Sequence, residues 1–457
     1  MWLLAVVERQ VEASVCRRHE NEIRLMLVTM LGFTATTCQR SDQTGQASLV
    51  DRAYRGDTLL VRSRAPLYAD TASLREVLRI GTAEGNEQNM LDDVSAFVEM
   101  ADGRVIVADG AGLRAFSGEG LFLERIARPG QGPGEVQYVV GMAAAPDGSL
   151  LAVDLGNRRI NVYRVTGELD HWPLPPGMAG YGRASIVATD DGAAYVAYNP
   201  PPPSDGNPLP YPRPIFLKLG PTGTAIDTVH AETRFLEGCP TRSASQWRSG
   251  FYEDLREPYF PKVKWALGPT GTLAVGCPVS YELDLIRSDG SVVRISREWV
   301  PVIVSEEERK SFVEVQAFSR NSSGYFERWS WEGPQPPGQR PAYDRILFGR
   351  EGRIWIWPAQ PSARQDVPKE YTQMGAPAVV YQISSAGSFD VFNETGEYLG
   401  AVRLPDDLPY NPFPGRADPF IRGDTLWALR YDSLDVPYLT KYAVQWPARK
   451  STNASGT

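Results

Sequence analysis

Histidine is almost missing from this chain: His19, His171 and His230 are the only three in 457 residues. So few imidazoles leave little from which to build a histidine-ligated zinc centre. Cysteine is scarce as well, and of the four present only Cys239 and Cys277 fall in the part expected to fold. Beyond residue 40 no apolar run approaches the roughly 20 residues that a membrane-spanning helix needs. No basic stretch alternates with aromatics, and the net charge is −8 with a pI of about 5.2, so the electrostatic footprint of a nucleic-acid binder is absent. The acidity reads as a solvated surface. There is no Gly-x-Ser-x-Gly elbow to present a nucleophilic serine. Gly130-Gln-Gly-Pro-Gly-Glu135 is rich in glycine, but it lacks the Lys-Ser/Thr pair of a phosphate loop and no helix follows it. It reads as a tight crossing between structural repeats.

Glycine (42), proline (37) and aromatics (11 Trp, 20 Tyr, 16 Phe) are what the chain has in quantity. Apolar content of 42% is ample for a core and argues against disorder. Between Val94 and Gln445 one unit recurs six times: strand, tight glycine turn, strand, open loop, strand, second tight turn, strand. The clearest copy runs from Gly141 to Glu168. A four-stranded unit repeated at this length predicts the blades of a β-propeller. The expected fold is all-β: a six-bladed β-propeller over 57–448, with long loop insertions on one face and a short helical insertion.

The first turns are Asp102-Gly103, Asp147-Gly148, Asp191-Gly192, Thr270-Gly271, Glu351-Gly352 and Gly423-Asp424. Asp-Gly between alternating apolar runs is a strong hairpin signal, because glycine supplies positive φ without steric cost. The sixth unit lacks its fourth strand. Leu74–Ile80 is expected to supply it, closing the ring and removing an open sheet edge. Asp57–Arg64 reads as a further strand with no place assigned.

Residues 1–37 are expected to be a leader. Leu25–Ala35 is a short apolar stretch preceded by Arg17, Arg18 and Arg24, the pattern of a secretory signal. The segment before it is too long and too acidic for a normal leader, which places the expected start near Met26. Ala35-Thr-Thr-Cys38 resembles a bacterial lipobox, making Cys38 the candidate lipidation site; cleavage after Ala47 is the alternative. Residues 38–56 read as a polar tether and 449–457 as a flexible tail.

Chain direction within a blade puts both glycine turns on one face. The loop between strands two and three, and the crossing to the next blade, lie on the other. The insertions at 199–213, 231–262, 297–343, 358–388 and 405–419 all fall on that second face. Loops beyond about 12–15 residues are uncommon in compact domains and are often functional, so this is the expected binding face. Ser305-Glu-Glu-Glu308 fits a capping box that opens a helix. Aromatics and arginines crowd the same insertions, a mixture that suits protein, peptide or carbohydrate ligands. Trp247, Arg248, Tyr252, Trp329 and Trp331 are the candidate ligand contacts. The alternative is that such aromatics glue long loops to the disc. Cys239 and Cys277 are expected on this face too. In an exported protein they could pair, closing a loop of about 38 residues worth ~3–4 kcal/mol in the chain-entropy model; two free core thiols are the alternative.

Arg128–Glu135, then Pro146-Asp-Gly148, then Val153-Asp-Leu-Gly-Asn-Arg-Arg-Ile160 resemble the NHL repeat of six-bladed propellers. Leu78–Gly81 through Phe116-Ser-Gly118 resembles a second copy, whereas later units keep the turns and lose the Asn-Arg element. The resemblance implies architecture first, since such propellers include binding platforms and a minority of enzymes. The zinc chemistry of the amidating lyase needs channel histidines, and His171 and His230 fall on fourth, outermost strands. Calcium-dependent lactonase and esterase propellers use Glu, Asp and Asn at the channel mouth. The corresponding candidates are Glu135, Asp154, Asn157, Asp344 and Asp418, although Asp154 and Asn157 also suit capping of the loop before strand three.

The resulting expectation is an exported binding or scaffold module, monomeric and without a cofactor, periplasmic or cell-envelope if bacterial. It meets a membrane only through a lipid anchor. The alternative is a metal-dependent (Ca-type) hydrolase or lyase at the channel mouth.

Overall fold

In the computed structural model the described residues are 48–174, 186–198, 215–230, 239, 244–248, 251–255, 259–322, 330–331, 335–384, 386–406, 408 and 417–450. They are dominated by antiparallel sheets in which four consecutive strands pair in chain order. Blade 1 comprises Ala96–Glu99, Val105–Asp109, Gly112–Phe116 and Phe122–Ala127; blade 2 comprises Val139–Ala144, Leu150–Asp154, Arg159–Tyr163 and Leu169–Pro173. Blade 3 follows with Ile186–Ala188, Ala194–Tyr198, Ile215–Leu219 and Ala225–His230. Blade 4 has Lys264–Leu267, Leu273–Gly276, Glu282–Ile286 and Val292–Arg297; blade 5 has Tyr343–Phe348, Ile354–Pro358, Ser388–Phe392 and Tyr398–Arg403. Phe420–Arg422, Thr425–Tyr431 and Pro437–Gln445 begin the last unit.

Its fourth strand comes from the other end of the chain. Ala72–Ile80 pairs antiparallel with Pro437–Gln445, with Leu74 opposite Val444 and Ile80 opposite Leu439. Two residues of the same strand also pair with blade 5, which joins blades 5 and 6 into one sheet.

Burial explains why the units stack. Second strands are buried on both faces, as in Leu150–Asp154, whereas fourth strands such as Phe122–Ala127 are half exposed. Each pair of neighbouring blades shares one apolar cluster. Val98 and Leu113 meet Val139 and Ala152; Ile160 and Trp172 meet Val196 and Leu219; Tyr195 and Phe216 meet Leu273 and Val275. Leu283 and Ile295 meet Ile346 and Ile356; Trp355 and Phe389 meet Leu426 and Val444. The last cluster sets Trp427 and Leu439 against Phe97 and Val105, bringing the final blade onto the first.

At the ends one strand left without a place is located and two expectations are corrected. Thr58–Ser63 runs parallel to the outer strand Val292–Arg297. Val50–Arg55, expected within a polar tether, is a strand that folds back on it, so blade 4 carries six strands. The turn between them uses Gly56 at φ 62°, a left-handed position that glycine tolerates. Val50 and Val61 are buried, which is what holds this hairpin down. The tail from Arg449 also begins as ordered chain: Lys450 N–H donates to Leu67 O at 2.9 Å, and Arg449 bridges to Tyr68.

The helical insertion is Glu306–Ser322, with Ser305 Oγ accepting from Glu308 N–H at 3.0 Å. The Glu308 carboxylate meets Arg340 at 2.5 Å, both buried, and so ties the helix to the end of its own crossing. Two hairpins in the insertions, Ala244–Arg248 with Phe251–Leu255 and Ser362–Asp366 with Val379–Ile383, carry no sequence expectation. Among the described residues no helix is long and apolar enough to cross a membrane.

Candidate functional site

A cavity of about 450 Å³ opens where the insertions are, between blades 4 and 5. Tyr281 enters it from just before strand three of blade 4, and Arg297 from the end of strand four. Trp299, Val300 and Val302 come from the start of the crossing, Pro358 ends strand two of blade 5, and Ala359 follows it. These are all positions of the insertion face.

Its inner wall is rigid. Arg297 Nη2 lies 2.6 Å from Asp390 Oδ2, and its guanidinium sits 4.5 Å from the Tyr281 ring centroid and 4.9 Å from that of Tyr398. Both phenols donate to the same carboxylate. Burial pushes the two phenols upward, and the charge on Asp390 adds to it, so they stay donors. Burial alone would lower Arg297, but Asp390 and the flanking tyrosines outweigh it and raise it. The rim is the apolar part: Val300 is 87% exposed, unusual for a β-branched residue beside a cavity.

The neighbouring first strands of blades 4 and 5 carry a second cluster. Lys264 opens the first strand of blade 4, while Asp344 and Arg345 lie on the first strand of blade 5. Asp344 is the extra residue of a bulge between Tyr343 and Arg345. Arg345 pairs with Asp418. Burial lowers Lys264 and raises Asp344, and the attraction between the two opposes both shifts.

The metal candidates fall in two separate groups, Glu135, Asp154 and Asn157 at blade 2 and Asp344 and Asp418 on either side of Arg345. Asp154 accepts N–H bonds from Gln137, Tyr138 and Asn157 backbone and from Asn157 Nδ2. Asn157 Nδ2 also donates to Gly130 O at 2.9 Å. These two therefore clamp the incoming crossing, and Arg159 does the same by donating to Gly132 O and Glu135 O. Blade 1 repeats the device: Arg114 pairs with Asp109 and donates to Gln88 O and Met90 O. Glu135 accepts from Gly132 N–H beside Arg128. Carboxylate oxygens facing N–H donors and cations are poorly disposed toward a hard divalent ion, and among the described residues no three His, Cys, Asp or Glu side chains gather as a metal group.

Trp247, Arg248 and Tyr252 lie on the insertion hairpin, with Trp247 opposite Tyr252. Trp329 lies outside the described residues. Trp331 packs edge-on against Phe312 of the insertion helix, 5.7 Å between centroids. Cys239 and Cys277 are joined by a disulfide, Cα atoms 5.7 Å apart, tying the preceding crossing to blade 4. His171 stands on the outer strand of blade 2, its Nδ1 2.9 Å from Asn161 Oδ1.

Sequence reasoning passed over Trp299, Tyr281 and Arg297, although the 297–343 insertion contained two of them. It also passed over Lys264, whose signal is rarity: the chain has only seven lysines among 47 basic side chains.

Antiparallel four-stranded sheets packed in sequence around a ring, the last closed by an N-terminal strand, make this chain a β-propeller. No family model matches it, and no curated protein matches it. Among solved structures it is similar to a virginiamycin B lyase from Staphylococcus aureus (10% identity, TM-score 0.35, covering 81% of this chain and 98% of that one). A gluconolactonase from Xanthomonas campestris is similar at 15% identity and TM-score 0.35, covering 84% and 97%. A protein of unknown function from Bacteroides thetaiotaomicron is similar at 10% identity and TM-score 0.38, covering 81% and 76%.

Proposed function

We propose that this chain is an exported β-propeller acting as a binding or scaffold module, with a peptide, protein or carbohydrate ligand held on the insertion face. The observation that carries this reading is the cavity beneath Trp299, which opens among the long crossings and not among the glycine turns. A rigid Arg–Tyr wall with an apolar, exposed rim suits a ligand that offers both a flat apolar surface and hydrogen-bonding groups. Export is supported by the apolar segment 25–35 with its arginine flank, and by a disulfide of the kind that persists in oxidising compartments. Anchoring through Cys38 and release after Ala47 remain the two forms of the mature protein to separate by intact mass.

Calorimetry of the mature protein against panels of oligosaccharides and peptides tests the binding reading. A ligand class that binds is expected to lose about tenfold or more in affinity with Trp299→Ala, since anchoring aromatics typically contribute above ~1.4 kcal/mol. Binding that is indifferent to Trp299→Ala, or a footprint confined to the glycine turns, overturns it.

A further inference from the structure

We infer that the crossing after blade 4 rests on a lipid surface, with Val300, Pro301 and Ile303 presented to the bilayer interface beside the point where the chain enters the ring. The inference deepens the proposed function by naming a partner, and it rests on that reading for export and for the Cys38 anchor.

Trp299-Val-Pro-Val-Ile303 is five apolar residues in a row, and none of them is buried. Val300 is 87% exposed and Ile303 71%, and Pro301 between them is exposed as well. Trp299 and Val302 are half-buried against the cavity. Single exposed apolar residues are normal on any protein, whereas an exposed run of this length is a fault unless it has a use. The backbone holds the run in place: Val302 O accepts from Arg340 N–H, and Val304 N–H donates to Gly338 O, each at 2.9 Å. In that antiparallel bridge Ile303 and Gln339 are a non-hydrogen-bonded pair. The Ile303 N–H therefore points away from Gln339, and among the described residues it has no acceptor.

The chain enters the ring at the same corner. Val50 is in register with Ser63, and Ser63 with Arg297, so the first strand begins level with the end of blade 4's strand four, on the insertion face. Leu49 and Trp299 pack against one apolar cluster. Nine residues lie between Cys38 and Ser48, a reach of at most about 35 Å fully extended. A lipid on Cys38 therefore keeps this corner within that distance of the bilayer. One lipid chain alone binds reversibly, and a second contact makes attachment stable. The charges of the corner select the kind of surface: Arg62 pairs with Glu298 at 3.0 Å and Arg64 with Asp51 at 2.6 Å, while Glu306 beyond Ile303 is exposed. No surplus of cations is left to draw an anionic leaflet, so zwitterionic headgroups fit. Leu121, Val165 and Leu434 are comparably exposed, but they stand one to a blade in hairpin turns of the opposite face.

The test is hydrogen exchange of the full chain with and without phosphatidylcholine vesicles, read by peptide mass spectrometry. Amides of 298–304, the unpaired Ile303 N–H among them, are expected to exchange about fivefold or more slowly on vesicles, while those of 117–121 and 164–168 stay unchanged. Val300→Asp/Ile303→Asp should abolish that protection and leave the melting curve where it was, since both side chains already stand in solvent. Adding phosphatidylglycerol is expected to contribute nothing. Equal protection on both faces, protection that survives in the double variant, or protection that requires phosphatidylglycerol overturns the inference. Protection of 298–304 by a peptide but not by vesicles assigns the stretch to a protein partner and overturns it too. Intact mass of the same sample reads the anchor separately. A chain without lipid whose crossing is protected retires the Cys38 anchor and keeps the surface contact, whereas a lipidated chain whose crossing exchanges freely keeps the anchor and overturns the contact.

Discussion

Asp390 and Asp344 are carboxylates of the same blade with opposite circumstances. Asp390 is buried and meets Arg297, Tyr281 and Tyr398, so its charge is fully compensated. Asp344 has only through-space cations, and burial dominates, holding its carboxyl above the usual value of 3.8. The folded protein thus holds this proton more tightly than the unfolded chain does. Its contribution to stability is full below about pH 3.8 and is lost as pH rises through the folded-state value. Asp344→Asn should therefore gain on the parent in urea midpoint as pH rises above the usual carboxylate value of 3.8. Two parallel pH profiles would refute the raised carboxyl. At this scale the repeat made Asp154 and Asn157 legible, because a local turn imposes their roles. Lys264 and Asp344 were not legible as a pair: they lie 80 residues apart in sequence, and only ring geometry sets their strands side by side.

Among the elements, the ones readable in advance were those with local signals. Glycine turns marked the hairpins, and Ser305 with Glu308 marked the insertion helix. The strand Val50–Arg55 was hidden because its polar composition is that of an outermost edge, where one face meets solvent. The Cys239–Cys277 bridge joins a long crossing to the end of a core strand across a sequence separation of 38. In the chain-entropy model a loop of that size is worth ~3–4 kcal/mol. The double variant Cys239→Ser/Cys277→Ser should lose that much in urea-monitored unfolding, and the parent should lose the same on reduction. A midpoint that moves with neither treatment would mean that the crossing is already held by packing alone.

At the scale of the whole molecule, a single strand decides whether the ring exists. Ala72 is buried in the seam between blades 5 and 6, while Ile80 at the other end is buried in the seam between blades 6 and 1. Ala72–Ile80 therefore serves two interfaces besides covering the edge of Pro437–Gln445. The hairpin before it, Val50–Ser63, serves only one, through Val50 and Val61. Two N-terminal truncations distinguish these roles. Removal through Arg64 should lower the melting temperature and leave one cooperative transition, because every blade keeps its four strands. Removal through Gly81 should abolish the cooperative transition or promote self-association, since it exposes the ladder edge of Pro437–Gln445 and opens both flanking seams. A peptide spanning residues 70–82, added to the longer truncation, should restore cooperativity by β-strand addition. If the truncation through Gly81 melts like the parent, closure rests on the interblade clusters alone and the N-terminal strand is dispensable.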